Sequence, residues 1–191
     1  MMAPGRLTAR DGALLVVDLQ ERLLKGVEGR DRVVANALRL VRGARILGLP
    51  ALATEQYPKG LGPSIPELAA LIPDRPAKLT FHGLGAPGIA EALEAGPVGH
   101  VTLAGIEAHV CVAQTALELL GRGYRVQVAV DAVGSRFAED RAVALGRIER
   151  AGAILTTTEA VLFEWVEAAD HPHFKAISAL VKERSPGAPG A

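Results

Sequence analysis

The sequence predicts an α/β fold: a three-layer α/β/α sandwich around a six-stranded, mainly parallel, Rossmann-like sheet. Three observations predict it. Short apolar runs alternate with segments of helical periodicity along nearly the whole chain, the pattern of right-handed βαβ units. Those runs show little polar alternation, as in strands covered on both faces. Asp18, Lys78 and the turn before Cys111 all fall at the carboxyl ends of expected strands. Open parallel sheets bind ligands there, near the switch in strand order.

Each element has its own justification. Residues 13–18 form an apolar run that ends in the Asp18 carboxylate. Residues 30–47 carry Val33, Val34, Ala37, Leu38, Val41, Ala44 and Ile46 at near-helical spacing, and Gly48 is placed to close that helix. Residues 50–54 give a second strand. Residues 57–64, rich in Pro and Gly, read as a loop before a short helix over 65–71. A weaker third strand spans 77–81, and a helix with Pro87 in its first turn spans 87–95. Strand 100–104 leads into helix 109–120, and strand 124–130 into helix 138–150, with Ser135 as a cap. The sixth strand is 153–157, followed by helices over 159–168 and 174–182. The organisation is one domain over 11–184, preceded by a segment at 1–10 and followed by a flexible Pro/Gly-rich tail at 185–191.

Composition bounds the function. Hydrophobic residues make up 49% of the 191 residues but aromatics only 4%, so Val, Leu, Ala and Ile must fill the core. Lys plus Arg balances Asp plus Glu at 21 each. A net charge of zero gives no footprint for nucleic acid or an anionic membrane. It also provides little repulsion between copies. No apolar stretch reaches membrane-spanning length, and the N-terminus has no apolar leader core. A single cysteine fits a reducing compartment, so the expected location is cytoplasmic.

That cysteine is the most informative residue. In Val101-Thr-Leu-Ala-Gly105-Ile-Glu-Ala-His-Val-Cys111, a buried strand gives way to a turn and then to a helix that opens at the thiol. Unpaired N–H groups and a partial positive charge at a helix start favour the thiolate. Free cysteines are also commonly inert core residues. Asp18 fits the role of a base that takes the thiol proton and returns it to a leaving group. On its own it equally fits a helix cap, and Lys78 a solvated lysine. The three together, each at a strand end, tilt the balance towards chemistry.

Four motifs in order carry a resemblance. They are Leu15-Val-Val-Asp18-Leu-Gln20, Lys78-Leu-Thr-Phe81, Gly105-Ile-Glu-Ala-His-Val-Cys111-Val-Ala-Gln-Thr115-Ala116 and Val130-Asp131-Ala-Val-Gly-Ser135-Arg136. Over about residues 10–170 the chain resembles the isochorismatase-like cysteine hydrolases, which include nicotinamidases and N-carbamoylsarcosine amidase. The resemblance implies a catalytic triad of Asp18, Lys78 and Cys111. It implies a cis peptide between Ile106 and Glu107, and an oxyanion hole from the backbone N–H groups of Glu107 and Cys111. It further implies hydrolysis of a small amide or related C–N compound through a thioester, and homo-oligomers, dimers or tetramers. Nicotinamidases place a metal-binding Asp-x-His and a second His after the second strand. Here Thr54-Glu-Gln-Tyr-Pro-Lys-Gly60 stands there without histidine, so neither a metal nor another cofactor is expected. The expected partner is a small-molecule substrate. True isochorismatases lack the cysteine, and its presence points to acyl transfer in a branch other than nicotinamidase.

Gln20, Glu55, Gln56, Tyr57 and His109 are candidate pocket residues because they follow strand ends or flank the thiol. His109 and Cys111, two positions apart on a helix, do not face each other, which disfavours a Cys–His dyad. Gly83-Leu-Gly-Ala-Pro-Gly88 matches G-x-G-x-x-G formally but follows no buried strand, and reads as a plain turn. His171 and His173 have no third ligand nearby in sequence. Trp165 fits the core, a subunit contact or a substrate contact. Two rival readings keep the same fold: a non-catalytic oligomeric binding protein, and a thiol sensor oxidised reversibly at Cys111.

Overall fold

Strand β1 (Gly12–Val17) is the centre from which the architecture grows. All six of its residues are buried. Leu14 and Val16 enter one hydrophobic cluster, and Ala13, Leu15 and Val17 enter the other. Period-2 side chains on a strand covered on both sides make that split. The computed structural model describes residues 5–183. The tail expected at 185–191, residue 184 and the first four residues lie outside the described residues.

The chain continues through α1 (Glu21–Leu24) and α2 (Arg30–Leu47). Gly48 closes α2 at φ 74, and its N–H donates to the carbonyls of Ala44 and Arg45, a glycine C-cap. Then come β2 (Ala51–Ala53), β3 (Glu55–Gln56), α3 (Pro58–Leu61), α4 (Pro66–Leu71), β4 (Ala77–Lys78) and α5 (Ile89–Glu94). Strand β5 (His100–Ile106) leads through a π-helical turn at Ala108–Val112 into α6 (Ala113–Gly121). The C-terminal part is β6 (Arg125–Gly134), α7 (Ala138–Arg150), β7 (Ile154–Thr156), α8 (Thr158–Val166) and α9 (Phe174–Val181). None of the described helices is long and apolar enough to cross a membrane.

Among the described residues the main sheet has five strands in the order β2-β1-β5-β6-β7, each pair parallel. Helices α2, α8 and α9 cover one face, and α5, α6 and α7 the other. The three-layer expectation holds, with one correction in strand count. The run expected at 77–81 shrinks to two residues that pair with β3 in a separate ladder, Glu55 against Ala77 and Gln56 against Lys78. Leu79 and Phe81 are exposed and build no core. Smaller corrections concern ends. Residues 58–61 inside the expected loop form a short helix, α5 starts after Pro87, and α7 is capped at Phe137 without a side-chain bond. Ser135 is therefore not its cap.

The topology sets the site. From β1 the chain moves outward to β2, then crosses to β5 on the other side of β1. Strand order reverses between β1 and β5, so their carboxyl ends flank the crevice where parallel sheets hold ligands. Gly105 lets the two strands close there. It sits at φ +112, and a Cβ at that position would lie 2.0 Å from the Val17 carbonyl oxygen. No residue with a side chain fits that approach.

Candidate active site

β1 ends at Val17, and Asp18 turns into left-handed backbone with φ 51, a region that short polar residues enter more readily than most. Its side chain is completely buried. One carboxylate oxygen accepts the Thr54 hydroxyl at 2.8 Å, and the other accepts Lys78 Nζ at 2.6 Å. Thr54 is in reach because its own backbone joins the end of β1. Its N–H donates to Val16 O, and its carbonyl accepts from Asp18 N–H.

Lys78 closes β4 and is 2% exposed. A buried ammonium is tolerated only when its donors are satisfied. Nζ donates to Asp18, to Gln56 Oε1 at 2.5 Å, and to the Thr80 and Phe81 carbonyls at 3.3 Å. Removing either member of the Asp18–Lys78 pair leaves a buried charge uncompensated, a loss of about 3–5 kcal/mol.

Cys111 lies in the π-helical turn after β5 and is 6% exposed. Its Sγ stands 4.0 Å from Gln56 Oε1, and it feels both the Asp18 carboxylate and the Lys78 ammonium. The Ile106–Glu107 peptide bond ahead of it is cis. One helical turn on, the Thr115 hydroxyl donates to the Cys111 carbonyl at 2.6 Å and accepts Gly83 N–H at 2.8 Å. That bond ties the cysteine turn to the segment following β4. Burial pushes the Cys111 thiol up to about 12; the Asp18 charge adds to the rise and Lys78 opposes it. Desolvation is the largest cause of that rise, and it favours the thiol over the thiolate. This corrects the sequence-based expectation of a thiolate.

A buried carboxylate, a fixed cation and a buried thiol therefore meet at the topological switch point. The model of the isochorismatase domain matches residues 12–160. The chain belongs to the isochorismatase family. Isochorismatase domain-containing protein 2 from Danio rerio is 42% identical over 186 residues, 97% of this chain and 94% of the relative. The structure of Mar1 ribonuclease from Caenorhabditis elegans superposes with a TM-score of 0.88 at 40% identity, covering 98% of this chain and 99% of that one. The YcaC gene product of Escherichia coli, described as an octameric hydrolase of unknown specificity, has a TM-score of 0.86 at 30% identity, covering 94% and 91%.

Within this isochorismatase fold the candidate pocket residues separate. Gln20 and Gln56 are buried beside the Asp18–Lys78 pair. Tyr57 is half exposed and follows Gln56 directly, with its N–H bonded to the Lys78 carbonyl. His109 turns aside: Nδ1 bonds Ser135 Oγ at 3.0 Å, and Nε2 lies 3.8 Å from Asp140. Glu55 is a correction. Its carboxylate accepts Ser64 N–H at 2.8 Å and Arg75 Nε at 3.3 Å, anchoring neighbouring loops instead of lining the pocket. The Glu107 side chain likewise pairs with Arg136 at 3.1 Å, leaving only its backbone for the site. Trp165 is core on the α2 face. Sequence reasoning missed Thr54 and Thr115, whose partners lie 36 and 4 residues away. The four-residue spacing from Cys111 was the one readable signal, since a helical hydroxyl bonds back to the i−4 carbonyl.

Proposed function

We propose that this isochorismatase-family chain hydrolyses a small amide or related C–N compound through a thioester on Cys111. The observation that carries the reading is the buried Cys111 thiol set beside the buried Asp18–Lys78 pair. Holding a free thiolate at neutral pH would cost several kcal/mol here, so attack and proton loss are coupled. As Sγ bonds to the carbonyl carbon, the thiol proton passes to Asp18. The substrate oxygen gains the negative charge and is met by the backbone N–H groups of Glu107 and Cys111, a contribution of about 3–4 kcal/mol in comparable sites. The C–N bond breaks while Asp18 gives its proton to the leaving nitrogen. Water then attacks the thioester with Asp18 as base, the C–S bond breaks, and the sulfur recovers a proton. Lys78 keeps Asp18 oriented and offsets the charge that collects beside it.

Gln56 and Tyr57 would face the substrate, Gln20 would act only by holding the Gln56 backbone in place, and no step calls for a metal or other cofactor. Among the described residues no three His, Cys, Asp or Glu side chains group as a ligand set. Exposed Leu79, Phe81 and Phe137 support self-association, as in the octameric relative, and a lone cysteine suits a reducing cytoplasm. Three similar proteins are named ribonucleases, two of them provisionally, so RNA belongs among the trial substrates. The test is a panel of amides, ureides and short RNA with the native chain and Cys111→Ala. Turnover of a C–N substrate, lost in Cys111→Ala with trapped thioester in the native chain, supports the proposal. Turnover that survives Cys111→Ala, or cleavage of RNA alone, overturns it.

A further inference from the structure

A cleft of about 680 Å³ whose lining does not include Cys111 lies between the loop after α1, the start of α2 and the start of α7. Its charged lining is unbalanced: Lys25, Arg30, Arg32 and Arg141 face Glu28 and Asp31. Arg30 and Asp31 pair with each other at 3.5 Å. That leaves three cations against Glu28, and among the described residues none of the three has a salt-bridge partner. Asp131 also attracts Arg141, but its Oδ1 is already engaged by the Thr158 N–H and hydroxyl at 2.8 and 2.9 Å.

Arg141 is built into this position. Strand β7 pairs only with residues 127–129 of β6, so the rest of that edge has free carbonyls. Arg141 donates Nε to Val133 O at 3.2 Å and Nη2 to Val130 O. The guanidinium is thereby fixed on the edge with Arg32 as a repelling neighbour, and burial together with Arg32 pulls it below the usual arginine range. Arg32 and Arg141 repel each other, and among the described residues Glu28 is the one lining carboxylate left to offset them and Lys25, so a bound anion would relieve the remaining excess of positive charge. Ser135, 1% exposed, adds a hydroxyl-bearing wall. Helix α2 is preceded by Gly29, which has no side-chain oxygen to serve the Arg30 and Asp31 N–H groups.

We propose that this cleft binds a phosphate group, free or carried by a small metabolite. The proposal stands apart from the reaction at Cys111. Arg141 and Arg32 would grip the oxygens, with Lys25 as a mobile third charge. The full chain is titrated with inorganic phosphate and with glycerol phosphate at low ionic strength, followed by calorimetry and thermal shift. Arg32→Glu and Lys25→Glu alter exposed side chains and leave the fold intact; Arg45→Glu, exposed in the last turn of α2, controls for net charge. The expected result is saturable binding that weakens at least ~10-fold in Arg32→Glu and is unchanged in Arg45→Glu. Tighter binding of glycerol phosphate assigns the site to a phosphorylated metabolite, and equal binding to phosphate itself. Absence of saturable binding, or equal loss in Arg32→Glu and Arg45→Glu, overturns the proposal.

Discussion

Gln20 and Gln56 clasp one another across the site. The Gln20 carboxamide oxygen accepts the Gln56 backbone N–H at 2.7 Å, and its nitrogen donates to the Gln56 carbonyl at 3.1 Å and to Gly62 O at 2.5 Å. Gln56 in turn gives its own carbonyl oxygen Oε1 to Lys78 and its amide nitrogen to Leu79 O at 3.2 Å. Gln20→Ala should lower stability by about 1–3 kcal/mol, because the buried Gln56 N–H and carbonyl and the part-buried Gly62 carbonyl lose a partner. Gln20→Glu should cost more, since a carboxylate then faces two carbonyl oxygens. Urea unfolding measures both. A milder loss in Gln20→Glu than in Gln20→Ala would count against the clasp.

Thiol reactivity separates the two charges beside Cys111. Asp18 raises the thiol's proton affinity and Lys78 lowers it. In Asp18→Asn the pH profile of iodoacetamide alkylation should move to lower pH, although turnover is lost. In Lys78→Met it should move to higher pH. The native chain should alkylate slowly at neutral pH and faster into the alkaline range. Displacement of both variants in one direction would sink the electrostatic account.

Two glycines with positive φ should behave differently. Gly105→Ala drives a methyl into the Val17 backbone, so a loss of at least about 3 kcal/mol, or failure to fold, is expected. Gly48 has φ +74 but nothing within 4 Å of a built Cβ. Gly48→Ala should then cost only about 1 kcal/mol, the conformational penalty alone. Thermal midpoints of the two variants make the comparison, and equal shifts would argue against close strand contact at 105.

His100 should make stability pH-dependent. Burial lowers its proton affinity, against opposing pulls from the Thr8 carbonyl and Asp11. Its Nε2–H donates to Thr8 O at 2.8 Å. A folded pKa below the unfolded value means the unfolded chain binds the proton first. This contribution is complete above the unfolded pKa of 6.5 and is lost as pH falls towards the folded value. The slope in that window is up to about 1.4 kcal/mol per pH unit, and His100→Gln should flatten it. An unchanged slope in that variant would reassign the effect.

The central strands were legible because β1 is wholly apolar and β5 and β6 are mostly so, as fits doubly covered strands; the polar Thr102 and Gln127 are buried and bond each other across β5 and β6. The strand expected at 77–81 was misread because Leu79 and Phe81 alternate with Lys78 and Thr80. Leu79 and Phe81 look like core residues but face outward. Asp18, Lys78 and Cys111 could be brought together from strand ends alone. Glu55 and Gln56 could not be told apart, because adjacent strand residues point to opposite sides and the register was unknown. Gln56 meets Lys78, while Glu55 meets Arg75 and Ser64. The protonation of Cys111 was hidden too. A helix start is visible in sequence, but the degree of desolvation depends on elements far along the chain.

β1 meets no water on either side. Its amide hydrogens should be the last to exchange with solvent, with the outer helices α8 and α9 fraying long before. Asp18 hangs from that slowest segment, so brief local opening at the periphery leaves its anchor undisturbed. Losing that anchor then coincides with losing the whole globule, and mild heat or denaturant should spare function until cooperative collapse.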